Sequence, residues 1–217
     1  MGRLISPRAV VFDLDGTLID SRDDIAAACN HALVAHGRAP IKAETIRTYV
    51  GDGARMLLAR AFAVPVTSIE LDAPIHTFHA YYEAHPVVFT TLLPGALEAL
   101  DALANVPIAL ATNKPRVATL LVLEALGILP RFAAIAAGGD GPLKPDPSFI
   151  HAVLKIMGAP PAQSWVVGDG PQDVGAGKAA GCVTIGVLEG FVDPARLRAA
   201  EPDVIIASLH ELVALLG

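Results

Sequence analysis

The strongest hydrophobic pattern in the chain is short and ends in acid. Val10, Val11, Phe12 and Leu14 surround Asp13 and Asp15, and Gly16-Thr17 follow at once. A continuous apolar run of this length predicts a buried strand. Further strand-like runs recur at residues 107–111, 132–136, 165–167, 183–187 and 204–206. Between them, helical patterns cover residues 95–103, 116–126 and 148–157. Pro94, Pro115 and Pro147 stand at or just before their first turns, where a missing N–H costs nothing. Gly127 and Gly158 stop the second and third. Strand and helix in alternation predict parallel pairing through right-handed crossovers, a doubly wound, mainly parallel α/β sheet. Ligands of such sheets gather at the carboxyl ends of the strands.

Residues 21–88 break the alternation and read as helical throughout. Ile25, Cys29, Ala32 (or Leu33) and His36 recur at helical spacing, as do Met56, Leu57 and Arg60. Leu71, Ile75, Phe78 and Tyr82 form a third stripe, in which Pro74 marks either a kink or a helix start near Asp72. The Tyr81-Tyr82 pair is accounted for by packing, and His76, His79 and His85 form no metal set. An insert directly after the acidic strand is placed to cover it, so residues 21–88 are expected to be a helical lid. The core is then residues 1–20 and 89–217, with residues 92–95 as the returning hinge.

Composition narrows the setting. Of 217 residues 53% are hydrophobic and the mean hydropathy is +0.51, yet no apolar run approaches a membrane span. The first eight residues, MGRLISPR, have no apolar core before Pro7 and do not read as a signal peptide. Cys29 and Cys182 lie far apart without ligand spacing, as expected of two small core residues in a reducing cytoplasm. A formal charge of −6 with no basic cluster argues against a nucleic-acid surface. Any anionic substrate must be held by local charge.

Candidate chemistry lies at the ends of the runs. Two buried carboxylates as close as Asp13 and Asp15 require a cation or a shared proton. Thr112 and Asn113 follow a strand and precede a helix, a place for an anion or for an ordinary threonine cap. Lys144 stands among Pro142, Pro145 and Pro147, which fix the backbone around it as an oriented cation requires. The apolar run before Gly168 ends at Asp169, and Asp173 follows four residues later, a spacing that suits one metal-facing edge. The dinucleotide fingerprint fails at Asp173, a P-loop fails at Gln172 and Ala179, and a calcium loop after Asp13 lacks its later ligands.

Taken together, Asp13-Leu14-Asp15-Gly16-Thr17, Thr112, Lys144 and Gly168-Asp169 with Asp173 match in order the four motifs of one family. The chain resembles the haloacid dehalogenase superfamily, within it the phosphatases with a helical cap after the first motif, and most of all the bacterial phosphoglycolate phosphatases. The phrases Val50-Gly51-Asp52-Gly53-Ala54, Thr112-Asn113-Lys114-Pro115 and Lys144-Pro145-Asp146-Pro147 carry the finer likeness. Gly170 and Gln172 depart from it, where the family commonly has Ser and Asn.

The resemblance implies a Rossmann-like core with an inserted α-helical cap domain and Mg²⁺-dependent hydrolysis of a small phosphorylated metabolite, 2-phosphoglycolate. Asp13 is then the nucleophile that forms an aspartyl-phosphate, and Asp15 the general acid and base. Asp13, the backbone carbonyl of Asp15, Asp169 and Asp173 hold the metal, while Thr112, Asn113 and Lys144 hold the phosphate. Gly53 and Arg55 in the cap loop are the expected specificity residues, with Lys42 as a second possible carboxylate partner. Another small-molecule phosphatase, a sugar-phosphate mutase and a non-catalytic phosphate-binding regulator are the alternatives. The mutase branch usually continues DGV, whereas this chain has Gly16-Thr17.

Overall fold

A computed structural model describes residues 6–216. The reading of the amino terminus as lacking a signal peptide falls largely on residues 1–5, outside the described residues. Strand β1 (Ala9–Phe12) is buried along its whole length and is followed by a two-residue strand β2 (Ile19–Asp20). Four helices come next: α1 (Arg22–Ala35), α2 (Ala43–Arg47), α3 (Ala54–Phe62) and α4 (Asp72–Ala84). Strand β3 (Thr91–Leu92) and helix α5 (Ala96–Ala102) lead into β4 (Ile108–Pro115), α6 (Arg116–Ala125), β5 (Ala134–Gly138) and α7 (Ser148–Met157). The chain closes with β6 (Ser164–Gly168), α8 (Pro171–Ala180), β7 (Val183–Val187), α9 (Pro194–Ala199), β8 (Val204–Ile206) and α10 (Leu209–Leu215).

Six of these strands form one parallel sheet in the order β5-β4-β1-β6-β7-β8. Alternate side chains of β1 serve both faces: Val10 and Phe12 enter one apolar cluster, Ala9 and Val11 the other. Burial on both faces is why the strand reads as an unbroken apolar run. The order reverses around β1, because the chain steps outward through β4 and β5 and returns to β6 on the other side. The carboxyl ends of β4, β1 and β6 therefore lie side by side at the switch in strand order, where such sheets bind ligands.

The helical insert leaves and rejoins the sheet at one place. Strands β2 and β3 pair antiparallel, Ile19 with Leu92 and Asp20 with Thr91. Beside them the buried Asp24 carboxylate accepts the N–H groups of Val88, Phe89 and Thr90 at 2.8–3.1 Å and the Thr90 hydroxyl at 2.6 Å. Helix α4 starts at Asp72 with Pro74 in its first turn, so the proline begins the helix and does not kink it. Its stripe of Leu71, Ile75, Phe78 and Tyr82 packs inward as predicted. His36 and Arg60 do not: both are exposed, and the apolar face of α3 is Leu57, Leu58 and Phe62.

Candidate active site

Each acidic group is aimed by the element before it. Asp13 continues β1, tied by its N–H to the Val167 carbonyl at 2.9 Å, and Asp169 follows β6. Asp173 sits in the first turn of α8, where its carboxylate accepts the Gly170 N–H at 3.0 Å. Carboxylate oxygens of Asp13, Asp169 and Asp173 lie within 4.8 Å of one another, the one such group among the described residues. Gly16 makes this approach possible. Its φ is +86°, and a Cβ there would collide with the Asp169 carboxylate.

Lys144 reaches into this group from the loop before α7. Its ammonium, almost fully buried, donates to Asp13 Oδ1 at 2.7 Å, the Ala111 carbonyl at 2.6 Å and Asp173 Oδ1 at 2.5 Å. Burial alone would lower its pKa, but Asp13 and Asp173 outweigh that and hold it above the ordinary lysine value. Asp13 itself is pushed up to about 7 by burial, against the pull of Lys144. Burial, with Asp173 and Asp13 as like charges nearby, carries Asp169 up to about 8, although the N–H groups of Phe191 and Val192 pull it back. Two carboxyls that resist ionisation beside a third, all offering hard oxygen, are the donor set a small divalent cation satisfies. The residues fit a metal of that kind.

Thr112 is buried at the same edge, its hydroxyl accepting the Lys114 N–H at 3.2 Å. Asn113 differs from expectation. Its side-chain amide is taken up by the Lys144 backbone, donating to the carbonyl at 3.1 Å and accepting the N–H at 2.8 Å. The side chain thus fixes the lysine loop, and the residue lines the cavity beside Thr112.

Asp15 stands apart from the acidic cluster. Its carboxylate accepts the Ser21 hydroxyl at 2.5 Å and is paired with Lys114 Nζ at 2.9 Å, so a metal could use only its backbone carbonyl. Lys114 lies within the phrase Thr112-Asn113-Lys114-Pro115 but carries no role in the motif reading, and Ser21 lies outside every motif. The Lys114 ammonium is buried and lies 4.4 Å from the centre of the Tyr82 ring, which α4 brings down from the insert. Burial would depress this lysine too, yet the Asp15 charge holds it above its ordinary value. The available signal was its position just past the apolar run 107–111, without the flanking prolines that single out Lys144.

Sheet and insert enclose one cavity of about 90 Å³, lined by Asp13, Asp15, Thr112, Lys114, Lys144 and Asp169 below and by Val50, Gly53, Leu57, Phe78, His79 and Tyr82 above. Tyr81 matches the packing expectation, stacked between His31 and His85, whereas Tyr82 belongs to the cavity. Gly53 faces the cavity, but Arg55 does not. Its guanidinium is held by the Val66 and Ser68 carbonyls and by Asp72, all within the insert. Lys42 precedes α2 and is likewise not among the lining residues. Gln172, one of the two departures from the family pattern, donates to Asp52 of the cap loop and so ties insert to sheet.

A family model described as haloacid dehalogenase-like hydrolase matches residues 7–181. The phosphoglycolate phosphatase of Agrobacterium fabrum C58 is 36% identical over 210 residues, covering 94% of this chain and 89% of that protein. That of Pseudomonas fluorescens Pf0-1 is 38% identical over 216 residues, covering 95% and 79%. The crystal structure of a predicted phosphoglycolate phosphatase from Haemophilus somnus 129PT is similar with a TM-score of 0.88 at 27% identity, covering 98% and 99% of the two chains.

Proposed function

The chain belongs to the haloacid dehalogenase-like hydrolases and is a phosphatase of that family, and we propose that it hydrolyses 2-phosphoglycolate by way of a phosphoryl group carried on Asp13. The observation that carries the mechanism is the convergence of Asp13, Asp169 and Asp173 on one point, with Lys144 hydrogen-bonded to two of them. Phosphate monoesters need rate enhancements that reach ~10²¹, far beyond the roughly 10²–10⁴ of a lone general acid. A covalent nucleophile and fixed positive charge must act together.

In this reading Asp15, ion-paired with Lys114 before substrate arrives, takes up a proton in the substrate complex; an Asp13 oxygen then attacks phosphorus while the ester P–O bond breaks, and Asp15 gives that proton to the leaving oxygen. Water then attacks the aspartyl-phosphate, Asp15 takes a proton from it, and phosphate departs. Ser21 and Lys114 aim the Asp15 carboxyl for both transfers. The Thr112 hydroxyl and Lys144 hold phosphoryl oxygens, Lys144 cancelling charge as it builds up. Asp13, Asp169 and the Asp15 backbone carbonyl, with Asp173 directly or through water, would hold Mg²⁺, which would supply further charge neutralisation at the phosphate. Residues 21–88 act as a cap domain on a core formed by the rest, in a cytoplasmic protein whose cysteines are both free and buried.

The test is phosphate release from phosphoglycolate, hexose phosphates, nucleotides and pyrophosphate, with and without Mg²⁺. Metal-dependent release greatest from phosphoglycolate, abolished by Asp13→Asn in a folded protein, is the expected result. Substantial turnover by that variant, or isomerisation of a hexose phosphate without release, would replace this reading.

A further inference from the structure

We propose that Lys114 and Tyr82 together form the subsite for a carboxylate on the substrate, one carbon away from the ester oxygen, and so determine specificity. This rests on the phosphatase reading of the site and assigns the part of the substrate which the expected residue, Arg55, cannot reach.

Position comes first. The Lys114 ammonium is 2.9 Å from one oxygen of Asp15 and 3.2 Å from the other. Asp15 must touch the leaving-group oxygen to protonate it. A group attached one carbon beyond that oxygen therefore falls within reach of the same ammonium. In 2-phosphoglycolate that group is a carboxylate.

Energetics points the same way. A buried lysine paired with a single carboxylate is a poor stabilising device, because desolvation consumes most of the attraction. Among the described residues Lys114 has only Asp15 as an ionic partner, whereas Lys144 has both Asp13 and Asp173. With two of its three donors facing the Asp15 oxygens, the Lys114 ammonium has at most one left for another acceptor.

Tyr82 supplies the independent observation. Its residue is 2% exposed and lines the cavity, and its hydroxyl's one polar neighbour is the Lys114 ammonium, which can donate but not accept, so among the described residues the O–H proton has no acceptor. An O–H donor left without an acceptor in a buried wall is unfavourable unless a ligand satisfies it. An O–H donor and an ammonium beside each other match the two oxygens of a carboxylate. The rest of the insert wall is mainly apolar, with Ile25, Val50, Leu57 and Phe78, and offers little to the hydroxyls of a sugar. The substrate class that fits is the phosphate ester of a short 2-hydroxy acid.

Binding decides the matter without requiring turnover. In the Asp13→Asn background with Mg²⁺, titration calorimetry compares phosphoglycolate with 2-hydroxyethyl phosphate, which has the same length but no carboxylate. Phosphoglycolate is expected to bind at least about tenfold more tightly. Adding Lys114→Met should erase that preference, with about a 100-fold loss for phosphoglycolate and far less for the alcohol. Tyr82→Phe, which removes one hydroxyl and leaves the ring, should cut the preference about fivefold.

Equal affinity for the two ligands in the parent, or a preference that survives Lys114→Met, overturns the subsite. So does an equal loss for both ligands, which would leave Lys114 as a positioning residue for Asp15 alone. If the binding preference holds while the unmutated enzyme releases no phosphate from phosphoglycolate, the subsite stands and the proposed substrate falls.

Discussion

Asp13 and Asp169 keep protons in the metal-free fold at pH values where the unfolded chain has lost them, because burial raises them from 3.8 to about 7 and about 8. The native state then binds more protons than the unfolded one, so stability falls as pH rises from about 4 to about 8 and levels off above. Urea unfolding of the chelator-treated protein across that window should show this decline. A divalent cation needs both carboxylates ionised, so Mg²⁺ affinity should increase over the upper part of the same range, with protons released on binding. Calorimetry in buffers of different ionisation enthalpy counts them; affinity independent of pH between 6 and 8 would contradict the assignment. Asp13 and Asp169 were legible in the sequence because each ends an apolar run, where an unpaired carboxylate is costly, and Asp173 because it follows four residues after Asp169, a spacing that suits one metal-facing edge. Lys114 was not, because its partner Asp15 lies far away in the chain and nothing local marks the pair. Arg55 was misread for the complementary reason: a cation in a cap loop looks available until its three partners within the insert are known.

At the level of elements, a long apolar run announced itself and a short tie did not. Strands β7 and β8 and helix α7 occupy the residues their patterns predict. Strand β4 runs on to Pro115, past the predicted end at Ala111, since its polar end still pairs with β5 at Gly138. The β2–β3 pair carries no readable period, because two residues on each strand cannot show alternation. The buried Asp24 was equally hidden, for its acceptors' partners lie more than sixty positions downstream. Asp24→Ala leaves three backbone N–H groups and a hydroxyl without their acceptor, and should lower stability by about 2–4 kcal/mol in urea unfolding. Loss of activity without loss of stability would show that the tie matters for motion and not for folding.

Across the whole molecule, sheet and insert are not energetically separate. One apolar cluster runs from Phe12 and Trp165 on the sheet through Ile25, Leu57 and Phe78 of the insert to Leu209 and Leu212 of α10. Heating should therefore give one cooperative transition, with calorimetric and van't Hoff enthalpies in agreement. Two resolved heat peaks would mean that the insert melts on its own. The doubly wound architecture was readable from the alternation of runs, whereas the contact between insert and sheet was not, since it depends on Tyr82 meeting Lys114 and Gln172 meeting Asp52 across chain distances no pattern spans. The paired ladder of β2 and β3 has a mechanical corollary. Because both tethers of the insert emerge from adjacent positions and are stitched to each other, any movement of the helices relative to the sheet would turn about that one place, like a door hung on one pin. A change in either tether would then bear on how α4 sets Tyr82 over Lys114.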